Sequence, residues 1–194
     1  MPATRTRPTL VSPCTAAPSR ATCATALHMF GALGALHALD DDDAELLHRA
    51  ASGLRFIRST SVFTDADDAL FQVALVDLSD RDAFIVETAA RYAADLVPNF
   101  SRSGSSARPD LSDDRSALWL AGILRLAEAV CPAGSDGARG VYATWTDSML
   151  FLEFDGTGIS RTLLARAAGR VTVLEAITGR RVVLANSDTR RGVA

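Results

Sequence analysis

The chain has 194 residues, of which 48% are hydrophobic, and a formal net charge of −3. This balance indicates one soluble globular domain with a small appendage, and it excludes a strongly basic nucleic-acid-binding surface. No apolar run reaches the roughly 18 residues of a membrane-spanning helix. The three cysteines are too few for a disulfide framework. We therefore expect a cytoplasmic protein without a membrane partner.

Residues 1–21 are predicted to be a disordered leader. They combine arginines with serine and threonine, a composition that superficially resembles an organellar transit peptide. Four prolines would break the amphipathic helix that such a peptide needs, at Pro2, Pro8, Pro13 and Pro18. A disordered segment, or a start codon assigned too early, is the better interpretation.

Helical patterns dominate the next part of the chain, residues 22–140. The first helix is predicted over Ala21–Leu39 and the second over Asp42–Arg58, where the preceding acidic run favours a helix N-terminus. Capping pairs predict the starts of a third and a fourth helix at Thr64 with Asp67 and at Ser79 with Asp82. The fourth helix should end before Pro98, and a loop rich in Ser, Gly and Pro should follow it.

The segment Arg115–Val130, RSALWLAGILRLAEAV, has apolar residues over more than half of the helix circumference. It is predicted to be a central, mostly buried helix, with Arg125 at the margin of the core. Ser112 is predicted to cap this helix, which should stop at Cys131 before Pro132.

After Gly140 the hydrophobic period changes from helical to alternating. The segments 141–145 and 149–154 predict a β-hairpin, Ser160–Ile177 predicts a helix that ends before Gly179, and 181–185 predicts a third strand. Residues 141–187 thus form a small ββαβ unit, followed by a tail at 188–194. The predicted fold class is α+β, mostly α.

Three of the predicted helices have sequences that resemble a known family. The segments Leu27–Ser52, Ser79–Tyr92 and Arg115–Val130 closely resemble helices of the C-terminal HD-type domain of the exopolyphosphatase/guanosine pentaphosphate phosphatase (Ppx/GppA) family. The resemblance spans residues 22–186 and is carried by packing residues. It implies that residues 22–140 form an HD-like helical domain on which the ββαβ unit packs.

The resemblance fails at the residues that bind metal in the family. Leu54 and Arg55 stand at the positions of the His-Asp pair, and a histidine-rich element is replaced by residues 64–69, TDADDA. Of two further aspartates, one becomes Glu128 and the other Cys131. Leucine and arginine cannot ligate a cation. The resemblance therefore implies a degenerate domain, and we predict no catalytic residue, no bound metal and no cofactor.

Arginines lie where the metal site of the family opens. In the family this domain lines part of a basic passage for polyphosphate, and guanidinium groups bind phosphate oxygens in pairs. The resemblance thus implies a phosphate-binding set of Arg55, Arg58, Arg91 and Arg102. The alternative is that these arginines are solvated or paired with nearby acids, namely Asp80, Asp82, Glu87 and Asp95.

Histidines offer little chemistry in this sequence. His28 and His37 lie on the first predicted helix, about 180° apart around its axis, so the two cannot bind one metal ion. They are interpreted as packing or surface residues. The carboxylates that could instead hold magnesium or manganese are Asp65, Asp67, Asp68 and Glu128.

Two functions follow from the sequence. The first is a non-catalytic, stand-alone Ppx/GppA-like HD domain that binds polyphosphate, guanosine polyphosphate or a protein partner, with a homodimer left open. The Gly-rich phosphate loops and catalytic Glu of the family's actin-like module are not found in the 194 residues. The alternative is an active phosphohydrolase, related to exopolyphosphatases, that uses the rearranged carboxylate site.

Overall fold

The computed structural model describes residues 20–59, 75, 77–95, 111–131, 136–156 and 158–187, with the side chains of 55–59 and 111–112 left undescribed. It confirms the predicted fold class, α+β and mostly α. The long helices come first in the chain, and a three-stranded sheet with two short helices follows. The helices of the first part are α1 Arg20–His37, α2 Asp41–Ser59, α3 Asp80–Ala93 and α4 Leu111–Val130.

Helix α1 ends two residues before the predicted Leu39. The ring of His37 causes this early end, because its Nδ1 accepts the backbone N–H of Leu39 at 2.9 Å while its Nε2 donates to the carbonyl of Phe30 at 2.9 Å. Ala38 then adopts the left-handed conformation, with φ 55. The predicted end was therefore wrong, because this contact depends on the fold and not on the local pattern.

Side-chain caps start the two following helices, and the cap of α2 is reciprocal. Asp40 Oδ1 accepts the N–H of Asp43 at 3.1 Å, and Asp43 Oδ2 accepts the N–H of Asp40 at 3.2 Å. This arrangement places the start of α2 slightly earlier than the predicted Asp42. The predicted cap of α3 is confirmed, because Ser79 Oγ accepts the N–H of Asp82 at 3.2 Å. The predicted helix near Thr64 and the loop 99–110 lie outside the described residues.

Helix α4 is the central, buried helix that its pattern predicted. Its largest fully buried side chains, each at most 1% exposed, are Trp119, Leu120, Ile123, Leu124 and Leu126. The helix begins at Leu111, so Ser112 lies inside its first turn and the predicted cap at Ser112 was wrong. At Gly122 the helix approaches a later helix so closely that a Cβ atom would lie 2.9 Å from Leu174 Cδ2.

The C-terminal unit has the predicted ββαβ order. Strands β1 Gly140–Trp145 and β2 Met149–Asp155 form the antiparallel hairpin, and β3 Arg181–Asn186 pairs with β2 in parallel. The single helix predicted over 160–177 is instead two helices, α5 Arg161–Ala167 and α6 Thr172–Thr178, joined by a 3₁₀ turn over Ala168–Arg170. Gly169 lies in this turn, where glycine and the following β-branched residues weaken a continuous helix. Gly179 ends α6 in the left-handed conformation, as predicted.

One hydrophobic cluster joins the helices to one face of the sheet. Leu150, Leu152 and Phe154 of β2 are fully buried in it, together with Leu174 of α6 and Ile123 of α4. Within the described ranges, no helix combines the length and the hydropathy needed to cross a membrane.

Candidate functional site

Two positions that the resemblance aligns with metal ligands, Leu54 and Cys131, take part in packing. Leu54 is 3% exposed and belongs to the hydrophobic cluster. Cys131 is buried, and its thiol donates a hydrogen bond to Thr25 Oγ1 at 3.0 Å, while the same oxygen accepts the N–H of Ala138 at 2.9 Å. Burial raises the pKa of the Cys131 thiol. The thiol therefore stays protonated and links the end of α4 to α1.

Of the four arginines predicted to bind phosphate, only the side chain of Arg91 is described. It is 8% exposed, and its Nε donates to Glu87 Oε1 at 2.8 Å, one turn earlier on α3. The side chains of Arg55 and Arg58, and the whole of Arg102, lie outside the described residues. Arg91 is thus held in a buried ion pair, which is the alternative that the sequence left open for it.

A second set of arginines converges at the end of α3. Asp95 lies just beyond the helix, where it adopts a left-handed conformation with φ 63. Its Oδ1 binds Nη2 of Arg125 on α4 at 2.7 Å, and its Oδ2 binds Nη1 of Arg170 on the 3₁₀ turn. The side chain of Arg125 is 20% exposed, and those of Arg170 and Asp95 are 39% and 40% exposed. We call these three residues the Asp95 cluster.

The Asp95 cluster has the chemistry of an oxyanion site. Two guanidinium groups share one carboxylate, so the cluster has an excess of one positive charge at a solvent-accessible position. Nε of Arg125 is a buried donor without a hydrogen-bond partner among the described residues. Planar guanidinium groups bind phosphate and carboxylate oxygens with the same geometry. An anion that met both arginines would therefore replace or join the carboxylate of Asp95.

Sequence reasoning missed this cluster. It placed Arg125 at the core margin and treated Asp95 as a pairing acid, but it did not single out Arg170. The three residues lie on separate elements, and all 20 basic residues of the chain are arginine, so neither spacing nor composition marks them. The folded α3, α4 and 3₁₀ turn are needed to bring them together.

A third group of charged residues lies at the beginnings of α2, α3 and α4. Arg81 Nε donates to Asp113 Oδ1 at 2.7 Å and so joins the first turns of α3 and α4. Burial raises the pKa of Asp43 on α2, and the charge of Arg81 partly opposes this shift. Acidic residues at helix N-termini neutralise the positive ends of the helix dipoles. This end of the helices is therefore stabilised by its own acids and supplies structural contacts.

His37 completes this end of the molecule. Its ring lies 4.4 Å from the ring of Phe30 and 5.6 Å from that of Trp119, measured between centroids. Burial lowers the pKa of His37, and its hydrogen bond to Phe30 opposes that shift. The prediction of a packing role for His37 is confirmed by these contacts.

The carboxylate alternative has one described member. Glu128 lies half-buried on α4, while Asp65, Asp67 and Asp68 lie outside the described residues. In the part of the chain that the structure describes, no three His, Cys, Asp or Glu side chains form a group that could hold a metal ion. Compared with known proteins, the sequence matches no family model and none of the curated proteins.

Proposed function

We propose that this chain is a non-catalytic domain that binds a phosphate-rich anion, polyphosphate or a guanosine polyphosphate, and that Arg125 and Arg170 belong to its binding surface. One observation carries the proposal: two guanidinium groups from separate elements converge on the single carboxylate of Asp95. A carboxylate held in this way has the geometry in which a phosphate oxygen pair would bind.

Preorganisation favours binding at this place. Arg125 extends from a helix whose neighbouring residues Leu124 and Leu126 are fully buried, so its backbone cannot move away. Arg170 lies in a turn beside Val171, which is 5% exposed and packed in the core. Ligand binding therefore does not have to order the two arginines, which reduces its entropic cost.

Asp95 acts as an internal competitor in this proposal. Its carboxylate neutralises part of the positive charge while no ligand is bound, and a phosphate chain of higher charge displaces it or binds beside it. Asp95 also adopts a backbone conformation that glycine would adopt at lower cost. The two ion pairs that its carboxylate makes with Arg125 and Arg170 explain why an aspartate occupies this position.

The non-catalytic part of the proposal is supported by Leu54 and Cys131. The resemblance aligns both with metal ligands, yet one is packed among apolar residues and the other bonds to Thr25. Neither offers the oxygen ligands that magnesium prefers. Binding of the anion without hydrolysis is the function that these contacts support.

Calorimetry with polyphosphate of defined length, at low ionic strength, tests the proposal. Arg170→Glu should weaken binding at least tenfold, and Asp95→Asn should strengthen it several-fold because the competing charge is gone. The matched control is Arg166→Glu on α5, an exposed arginine four residues earlier, which should leave affinity nearly unchanged. Binding should also weaken steeply with salt.

Three results would count against this function. Absence of binding heat, or equal affinity in Arg170→Glu and Arg166→Glu, would remove the Asp95 cluster from consideration. Release of inorganic phosphate in the presence of magnesium, lost in Asp65→Asn or Asp67→Asn, would establish the phosphohydrolase alternative instead.

A further inference from the structure

One imidazole ring holds the connection between α1 and α2. Both nitrogens of His37 bind the backbone: Nε2 donates to the carbonyl of Phe30 at 2.9 Å, and Nδ1 accepts the N–H of Leu39 at 2.9 Å. Phe30 lies about two turns earlier on α1, whereas Leu39 lies beyond the end of the helix. The ring therefore ties the residues that leave α1 back to the helix itself.

This pair of hydrogen bonds defines the protonation state of the ring. A backbone N–H can only donate, so the Nδ1 that faces Leu39 must carry a lone pair, and the ring proton must lie on Nε2. An imidazolium carries a proton on both nitrogens and would point one donor at another. The hydrogen bond between His37 and Leu39 can therefore exist only while the ring is neutral.

The surroundings of the ring favour its neutral form at neutral pH. His37 is 4% exposed, and its ring packs against those of Phe30 and Trp119. Burial lowers the pKa of His37, whereas its hydrogen bond to Phe30 and the charge of Asp43 on α2 act in the opposite direction. The ring is therefore neutral at neutral pH and takes up a proton in acidic solution.

Two acids at the start of α2 lie beside this connection. Asp40 and Asp43 each accept the backbone N–H of the other, which is the reciprocal cap of α2. The cation that acts on Asp43 is Arg81 of α3, which is itself bound to Asp113 of α4 at 2.7 Å. Among the described residues, Asp43 is the ionised group whose charge acts on His37 directly. An imidazolium at position 37 would therefore be drawn towards a carboxylate that caps α2.

We propose that the connection between α1 and α2 is a pH-sensitive latch: the neutral ring of His37 holds it closed, and protonation of Nδ1 opens it. The lost hydrogen bond releases Leu39, and the attraction of the imidazolium to Asp43 competes with the capping of Asp40. The end of α1 and the start of α2 therefore loosen together, whereas the other helices keep their places in the hydrophobic cluster. The proposal is independent of phosphate binding.

Nuclear magnetic resonance of the full chain, between about pH 7.5 and about pH 5, tests the latch. An N–H···N hydrogen bond transmits a scalar coupling between its two nitrogens. Leu39 N and His37 Nδ1 should therefore be coupled at neutral pH and uncoupled once the ring is protonated. The amide signals of Leu39 and Asp40 should shift with the same midpoint as the ring, below 6.5. Amides of α4 should stay protected from hydrogen exchange over the whole range.

Two variants sharpen this titration. Asp43→Asn keeps a capping oxygen and removes the charge, so it should lower the midpoint of His37. The matched control is His28→Gln on the same helix. Burial also lowers the pKa of His28, but its buried Nδ1 has no hydrogen-bond partner among the described residues. His28→Gln should therefore leave the midpoints of Leu39 and His37 unchanged.

Tryptophan fluorescence gives a second measurement, because a protonated imidazole quenches a neighbouring indole. The chain has two tryptophans, so Trp145→Phe leaves Trp119 as the only one. Its emission should fall with the midpoint of the ring, and adding His37→Gln should abolish that fall. Absence of the coupling at neutral pH would overturn the proposal, as would different midpoints for Leu39 and the ring. Simultaneous loss of protection in α4 would also overturn it, because protonation would then unfold the whole domain.

Discussion

The helical region and the sheet unit bury polar side chains to very different extents. In the described part of residues 20–131, the buried polar or charged side chains are Thr25, His37, Asp43, Thr88, Arg91, Asp113 and Ser116. In the described part of residues 136–187 the corresponding group is Glu153 alone. The two regions share one hydrophobic cluster, but they connect their elements by different means.

The difference follows from how helices and strands satisfy their backbones. A helix bonds its own backbone internally, so polar links between helices must come from side chains such as the thiol of Cys131 and the hydroxyl of Thr25. Strands β1, β2 and β3 are linked by backbone bonds, which leaves their inward side chains apolar. We infer that the stability of the sheet unit depends on the close packing of apolar side chains. The stability of the helical region also depends on specific hydrogen bonds and ion pairs between side chains.

The largest expected effect lies in the sheet unit. Phe154 is fully buried, and Phe154→Ala should lower the free energy of unfolding by about 4 kcal/mol through lost burial and the cavity that remains. Phe151→Ala, on the outer face of the same strand, is the matched control and should lower the free energy of unfolding by about 1 kcal/mol. Urea unfolding at low protein concentration measures both. Equal losses would mean that the outer face is packed like the core.

In the helical region, the corresponding test is the buried ion pair. The Arg91 and Glu87 side chains are 9% and 16% exposed, so Glu87→Ala leaves a guanidinium largely shielded from water and should cost about 3 kcal/mol. Replacing both residues, Glu87→Leu with Arg91→Met, should recover a large part of that loss. If the double variant lost as much free energy of unfolding as Glu87→Leu and Arg91→Met lose together as single variants, the two charges would not act as a pair.

The sequence predicted best the features that local signals determine. The hairpin, the third strand and the Gly179 cap were predicted correctly, because alternation and turn chemistry are local signals. The end of α1 at His37 was not, because the contact of its ring with Phe30 determines it. The break after Ala167 was also missed, although Gly169 is a local signal that weakens a helix.

The candidate site was harder to predict than the fold. The resemblance directed attention to Arg91, whose side chain proves to be paired with Glu87. The Asp95 cluster needs three elements in their final arrangement, and single-sequence reasoning gives no measure of such distances. Local polarity alone therefore could not distinguish the buried arginine of α3 from the accessible arginines of α4 and the 3₁₀ turn.

A smaller effect is expected from pH, and it arises in the helical region. Burial lowers the pKa values of His28 and His37 from the ordinary 6.5. Just below pH 6.5 the two histidines are therefore protonated in the unfolded chain but largely neutral in the folded chain. Stability should be full above pH 6.5 and fall as the pH decreases below it. Burial raises the pKa of Asp43 above 3.8, so proton uptake by that acid opposes the loss only at lower pH.

Thermal melting between about pH 7.5 and about pH 5 measures this dependence, because this range spans the ordinary pKa of histidine. His37→Gln should flatten the curve, although it also lowers stability at neutral pH because the ring packs against Phe30 and Trp119. His28→Gln should flatten it as well. A pH dependence unchanged in both variants would assign the effect to residues other than these two histidines.

The smallest effects compare one helix end from each region. Ala38 after α1 and Gly179 after α6 have nearly the same left-handed conformation, with φ 55 and φ 64, and both are exposed. An L side chain in this conformation costs about 1 kcal/mol relative to glycine. Ala38→Gly should therefore raise the free energy of unfolding by about 1 kcal/mol, and Gly179→Ala should lower it by about the same amount. Chemical denaturation of both variants gives the two values. Opposite changes of similar size would show that the regions share the same backbone energetics and differ in their side chains, whereas a loss in Ala38→Gly would mean that the Ala38 methyl group supports the ring of His37.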